Sequence, residues 1–105
     1  MAWILLVVAG LLETVWALAL KESDGFSKLG PTLVFGVAIV ASMVLLALAL
    51  RELPVGTGYA VWTGIGAVGA AIAGMVFLGE AAVLGRILPI ALIAVGIVWL
   101  ALSHE

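Results

Sequence analysis

The sequence predicts an all-α membrane protein with four transmembrane helices in a single domain. Of its 105 residues, 67% are hydrophobic and 10% are charged, whereas about a quarter of the residues in an ordinary soluble domain are charged. Apart from Glu13 and Glu105, the charged residues fall in three short breaks. The apolar stretches outside these breaks cover residues 2–20, 32–50, 58–79 and 87–102. At about 1.5 Å per residue, such stretches can span a hydrocarbon core of roughly 30 Å, the last one only just.

The first stretch is expected to cross the membrane although it contains an acid, Glu13. Its ten Leu, Ile and Val residues favour insertion by roughly 0.5 kcal/mol each and outweigh a cost of about 3 kcal/mol for the acid. A cleaved signal peptide is the other interpretation. However, no Lys or Arg precedes the apolar core, the acid interrupts it, and three more hydrophobic segments follow. We therefore expect this stretch to remain in the mature chain.

Proline and glycine mark the later helices. Pro31 and Pro54 stand where a helix is about to begin, a position that tolerates a missing amide hydrogen. The third stretch contains six of the thirteen glycines, which are Gly58, Gly64, Gly66, Gly69, Gly74 and Gly79. Small residues let helices approach closely in lipid. Gly64 and Gly66 also predict a bend, because glycine weakens a helix locally; packing alone is the alternative explanation.

The predicted array is small, and its loop charges are nearly balanced. Four helices of this length enclose little space, so we expect the chain to oligomerise. Lys21, Lys28 and Arg86 lie on one face of the array, and Arg51 lies on the other with the amino terminus. Since basic residues favour the cytoplasmic side, three against one gives only a weak orientation bias. Insertion in both orientations is compatible with this pattern.

Glu13 is the strongest functional signal in the sequence. It is the only charged residue inside the four predicted spans, at a depth where a leucine would be several kcal/mol cheaper. No Lys or Arg lies at membrane depth to pair with it, and lipid disfavours its charged form. We therefore expect Glu13 to exchange protons near neutral pH and to bind a cation when deprotonated. A protonated glutamate that only joins helices by a hydrogen bond is the alternative.

Helical spacing places small and polar groups beside Glu13. Gly10 and Trp16 lie three residues away on the same face of the first helix, so a small gap and an indole donor flank the carboxylate. Ser42 is the only polar residue of the second helix between Leu33 and Leu50. We expect its hydroxyl to point inward and hydrogen-bond Glu13; bonding to its own preceding helical turn is the alternative.

The third helix supplies aromatic rings. Tyr59, Trp62 and Gly66 share one face at offsets of three and four residues. Two rings and a small residue opposite a carboxylate would form a cage for a planar or hydrophobic cation. For Tyr59, near the start of the helix, a place in an interfacial aromatic belt is the alternative.

Several classes of protein are disfavoured by composition. The chain has no cysteine, its one histidine is His104 in the tail, and its net charge is -2. These features argue against a disulfide framework, a Cys-based metal site and a nucleic-acid surface. No nucleophile with a base, metal cluster or phosphate loop is visible, so we expect neither an enzyme nor a cofactor.

Three segments of the sequence carry distinctive motifs: residues 10–17, GLLETVWA; residues 19–26, ALKESDGF; and residues 53–67, LPVGTGYAVWTGIGA. They resemble the small multidrug resistance family of bacterial exporters, and within it the guanidinium exporter subtype. The family has a similar Pro-x-Gly-Thr-x-Tyr-Ala-x-Trp stretch that leads into a Gly-x-Gly kink. The resemblance covers the whole chain.

The resemblance implies a proton-coupled antiporter in the bacterial inner membrane. The assembly that it implies is an antiparallel, dual-topology homodimer, with the first three helices lining the site and the fourth serving dimerisation. The central glutamate of the family corresponds to Glu13. Its Trp and Ser, which favour guanidinium, correspond to Trp16 and Ser42, and its aromatic pair to Tyr59 and Trp62. The chain departs from the pattern at Pro89, where some relatives have the first of two packing glycines, and retains Gly96 as the second.

Two other functions remain open at this point. One is a broad-specificity exporter of quaternary ammonium and other hydrophobic cations. The other is a membrane subunit that transports nothing and in which Glu13 is structural.

Overall fold

A computed structural model describes residues 1–103 and contains four helices and no strand in that range. The helices are α1 (Ala2–Glu22), α2 (Leu29–Ala49), α3 (Val55–Phe77) and α4 (Leu84–Ser103). Each is long and apolar enough to cross a membrane. The prediction of an all-α protein with four spans is therefore confirmed for these residues. His104 lies outside the described residues.

The three later helices each begin three residues before the apolar stretch that predicted them. Pro31 is the third residue of α2, and Pro54 is the N-cap of α3. Amide groups in the first turn of a helix have no acceptor within the helix. A proline, which lacks the amide hydrogen, and polar residues therefore fit there. At its other end α3 stops at Phe77, because Gly79 takes a φ of 71° and turns the chain away.

The first helix is the centre of the bundle. It packs against both α2 and α3, while α4 packs against α3. A buried apolar cluster joins the first three helices and consists of Leu6, Ala9, Leu46, Ala49, Val61 and Trp62. No residue of α4 is buried. The fold thus places α1, with Glu13 near its middle, between two helices that can contribute to a site.

Glycines allow the close approach of α3 to its neighbours. A Cβ built at Gly64 would overlap the side chain of Ile97 on α4, and one built at Gly69 would overlap the hydroxyl of Thr14 on α1. The helix runs unbroken through Gly64 and Gly66, and both residues are buried. These glycines are therefore contact points between helices.

We expect Gly69→Ala to lower the stability of the fold. The new Cβ would lie 3.2 Å from Cβ of Thr14 and 3.3 Å from its Cγ2, so turning the hydroxyl away would still leave the Cβ atoms in tight contact. Overpacking of this kind costs about 1–3 kcal/mol, more than the roughly 1 kcal/mol that alanine gains over glycine within a helix.

The matched control is Gly36→Ala on α2, where a Cβ would meet no atom within 4 Å. Thermal unfolding in detergent, followed by circular dichroism, compares the two variants. The Gly69 variant should melt below the parent and the Gly36 variant at or above it. Equal midpoints would contradict the tight α1–α3 contact.

Candidate functional site

Glu13 is a partly buried carboxylate without an internal partner. Within residues 1–103 it is the only charged residue away from the helix ends. Its carboxyl group lies against α3 at Gly66, where a Cβ would overlap it. One oxygen, Oε1, is buried and has no hydrogen-bond partner in that range. The single ion pair of the described chain joins Arg86 to Glu80, so no side-chain cation neutralises Glu13.

Trp16 lies one turn further along α1 and carries a hydrogen-bond donor that lacks an acceptor. Its indole Nε1 is buried and donates to no acceptor within residues 1–103. A buried polar atom without a partner costs about 1–3 kcal/mol, and most such atoms in folded proteins are satisfied. An acceptor and a donor left unsatisfied one turn apart therefore indicate a place where a further group binds.

Contrary to our expectation, Ser42 forms no hydrogen bond with Glu13 within residues 1–103. Its hydroxyl donates to the carbonyl oxygen of Ala9 on α1 over 2.7 Å and accepts the indole N–H of Trp62 on α3 over 3.0 Å. The alternative bond to its own helix is not formed either. A hydroxyl donates one hydrogen bond, and here the acceptor is the carbonyl of Ala9, so no donor remains for Glu13. Ser42 is fully buried and joins α1, α2 and α3 one turn before Glu13.

The aromatic pair is divided between the interior and the surface. Trp62 is only 5% exposed and is anchored by its bond to Ser42, so it belongs to the bundle interior. Tyr59 is 55% exposed, and its ring centroid lies 5.4 Å from that of Trp62 at an angle of 53°. The two rings are adjacent, as the spacing predicted. The exposure of Tyr59 is compatible with either a cage or an interfacial belt.

The predicted gap at Gly10 is filled. A Cβ built there would lie 2.6 Å from Cγ2 of Ile65, so the side chain of Ile65 occupies the space beside this glycine. Gly10 therefore lets α1 and α3 approach and does not line an open space. Gly96 is different, because a Cβ there would meet no atom within 4 Å.

Two residues near the site were not predicted from the sequence. The hydroxyl of Thr14 lies 3.4 Å from the carbonyl oxygen of Gly66 and 3.5 Å from that of Gly10, long distances that leave it between the two helices. Its spacing of four residues from Gly10 was the available signal. Phe35 on α2 contacts the ring of Trp16, and nothing in the periodicity of α2 distinguished it.

No group of three His, Cys, Asp or Glu side chains that could hold a metal ion occurs within residues 1–103. A carboxylate oxygen without a partner can accept a proton or the donor of a cation, and the face of an indole ring suits an organic cation. Glu13 and Trp16 are therefore the candidate residues for binding a proton or an organic cation.

Comparisons with known proteins point to a family of transporters. The model of the family described as Small Multidrug Resistance protein matches residues 1–93. The guanidinium exporter of Yersinia pseudotuberculosis is 60% identical over 103 residues, which cover 98% of this chain and 99% of the relative. The guanidinium exporter of Escherichia coli strain K12 is 59% identical, and that of Salmonella typhimurium 56%, each over 98% of both chains.

These matches confirm the family resemblance that the motifs predicted. They also identify the protein as a transporter and not an enzyme. The chain belongs to the small multidrug resistance family and is a multi-pass membrane transporter.

Proposed function

We propose that this protein exports guanidinium and small substituted guanidinium cations in exchange for protons, across the bacterial inner membrane. The observation that carries the proposal is the carboxylate of Glu13, which lies inside a spanning helix and, within residues 1–103, has an unsatisfied oxygen and no side-chain cation paired with it. The relatives named guanidinium exporter support the substrate. The carboxylate supports the exchange, because one group can hold either a proton or a cation.

The working unit in this proposal is a homodimer of two oppositely inserted copies. No residue of α4 is buried, and Gly96 leaves open space on its surface, so this helix offers an apolar face and a small residue to a second copy. Three basic residues on one face against one on the other bias the orientation only weakly. An inverted partner would bring a second Glu13 to the same cavity.

Two carboxylates in one cavity would titrate as a coupled pair. A guanidinium ion binds when the pair is deprotonated, and protons displace it when they bind. If the cavity opens to the two sides of the membrane in turn, a proton gradient drives the cation outward. Glu13 is the proton-binding and substrate-binding residue in this mechanism.

The surrounding groups suit a guanidinium ion. Its planar donors can meet a carboxylate with two parallel hydrogen bonds, and its faces can stack on aromatic rings. Trp62 and Tyr59 provide adjacent rings. The unsatisfied indole N–H of Trp16 is a donor for the carboxylate pair. Ser42 acts indirectly, because it holds the indole of Trp62 in place.

Transport by the purified protein in liposomes tests the substrate. With an imposed proton gradient, guanidinium should be transported and tetrapropylammonium, which has no N–H donors, much less. Comparable transport of both cations would favour a broad-specificity exporter. Transport of neither would leave Glu13 as a structural group.

We expect Glu13→Gln to abolish proton-coupled guanidinium transport and to preserve the folded protein. The amide keeps the size and hydrogen bonding of the side chain but cannot carry a negative charge. The control is Glu22→Gln at the exposed end of the same helix, which should transport like the parent. Appreciable proton-driven uptake by the Glu13 variant would exclude the mechanism.

We expect the apparent affinity for guanidinium to weaken as the pH falls. Protonation of Glu13 removes the negative charge that binds the cation. Below the titration range of the pair, the affinity should therefore fall about tenfold per pH unit for each proton that guanidinium displaces. Binding is measured by calorimetry between about pH 9 and about pH 5, a window that brackets the titration range of a buried carboxylate. A flat profile would place the cation away from Glu13.

A further inference from the structure

Three aromatic rings form a continuous chain from the first loop to the candidate site. The ring of Trp16 on α1 meets that of Phe35 on α2 edge to face, with centroids 5.8 Å apart and planes at 83°. Phe35 in turn meets Phe26, with centroids 5.5 Å apart and planes at 60°. Phe26 lies in the connection between α1 and α2. The indole beside Glu13 is thus supported from outside the helix that carries it.

The loop end of this chain is held by hydrogen bonds. The backbone of Phe26 has a φ of 69°, in the left-handed region that bulky residues rarely adopt. The hydroxyl of Ser23 accepts the amide of Phe26 over 3.1 Å and donates to the carbonyl of Leu20 over 2.7 Å. Ser23 is fully buried. The buried Ser23 side chain thus holds Phe26 in an unfavourable backbone conformation, which fixes the position of its ring against Phe35.

The orientation of the Trp16 ring decides where its N–H points. The indole is planar, and its Nε1 is buried without an acceptor within residues 1–103. Aromatic rings favour edge-to-face contact because their edges are positive and their faces negative. An aliphatic side chain at position 35 would fill part of the space but would not favour one plane of the indole. The aromatic ring of residue 35 is therefore the contact on α2 that bears on the plane of the Trp16 indole.

We propose that Phe35, supported by Phe26, is a positioning residue that aims the Trp16 indole at the substrate-bound carboxylates and so sets the preference for guanidinium. This inference rests on the proposed function. A guanidinium ion forms two parallel hydrogen bonds only when the carboxylate plane is held in the right orientation, whereas a quaternary ammonium ion has no donors to align. Loss of the ring contact should therefore weaken guanidinium transport more than transport of a quaternary ammonium ion.

The test compares Phe35→Leu with Phe77→Leu, the same change at a ring that is 77% exposed at the end of α3. Initial rates of guanidinium and tetrapropylammonium transport are measured with the full-length protein in liposomes. The ratio of kcat/KM for the two cations should fall by about three- to tenfold in the Phe35 variant. It should stay within about twofold of the parent in the Phe77 variant and in Phe35→Tyr, which retains the ring.

A second readout reports on the indole itself. In protein labelled with 5-fluorotryptophan, the fluorine resonance of Trp16 is assigned by its loss in Trp16→Phe. The shift that guanidinium induces in this resonance should be reduced in Phe35→Leu and retained in Phe77→Leu, a comparison within each variant that cancels the ring current of residue 35. If Phe35→Leu does not fold, Phe26→Leu takes its place, because the ring of Phe26 is more than half exposed and its loss removes the support from the loop side.

The outcomes separate the two proposals. A parent protein that does not transport guanidinium overturns the proposed function. A parent that does, together with a Phe35 variant whose substrate ratio is unchanged, overturns the positioning role alone, even if both rates fall together. A reduced ratio together with a reduced guanidinium-induced shift of the Trp16 resonance supports it.

Discussion

The burial of one carboxylate inside a spanning helix, with no side-chain cation paired to it within residues 1–103, constrains the rest of this structure. Glu13 occupies a position where an apolar residue would be more stable by several kcal/mol, and α3 makes room for it. Gly66 lets the carboxyl group lie against α3, and Gly69 receives the neighbouring Thr14. The α1–α3 contact is therefore built around the acid, because a side chain at Gly66 would displace Glu13 and one at Gly69 would displace its neighbour Thr14.

The buried polar groups of the bundle fall into two sets. Ser42 and Trp62 form a chain of hydrogen bonds that ends at the carbonyl of Ala9, and it fixes three helices against one another. Glu13 and Trp16, one turn away, each keep a buried polar atom without a partner in the described chain. Satisfied polar groups in a core define one arrangement of its parts, whereas unsatisfied ones are expensive and rare. The second set is therefore where protons, a cation or a second copy would bind in the mechanism that we propose.

The number and type of helices could be predicted because hydrophobic length is a local property of the sequence. Glu13 was identifiable for the same reason, since a charge in an apolar stretch needs no three-dimensional information to be conspicuous. The predicted starts of α2, α3 and α4 were three residues late, because proline, glycine and polar residues fit the first turn, where amide hydrogens have no partner. The contacts across helices could not be predicted. Ser42 bonds a carbonyl 33 residues away, Ile65 fills the space at Gly10, and the ring of Phe35 reaches Trp16; each depends on how the helices are rotated.

The central claim is that protons and guanidinium compete for Glu13, and proton release measures that competition directly. Guanidinium is added to the detergent-solubilised protein in weakly buffered solution near neutral pH, and the pH change is recorded. The account predicts that the parent releases protons as the cation saturates it and that Glu13→Gln releases none. Saturable guanidinium binding to the parent without proton release would contradict it.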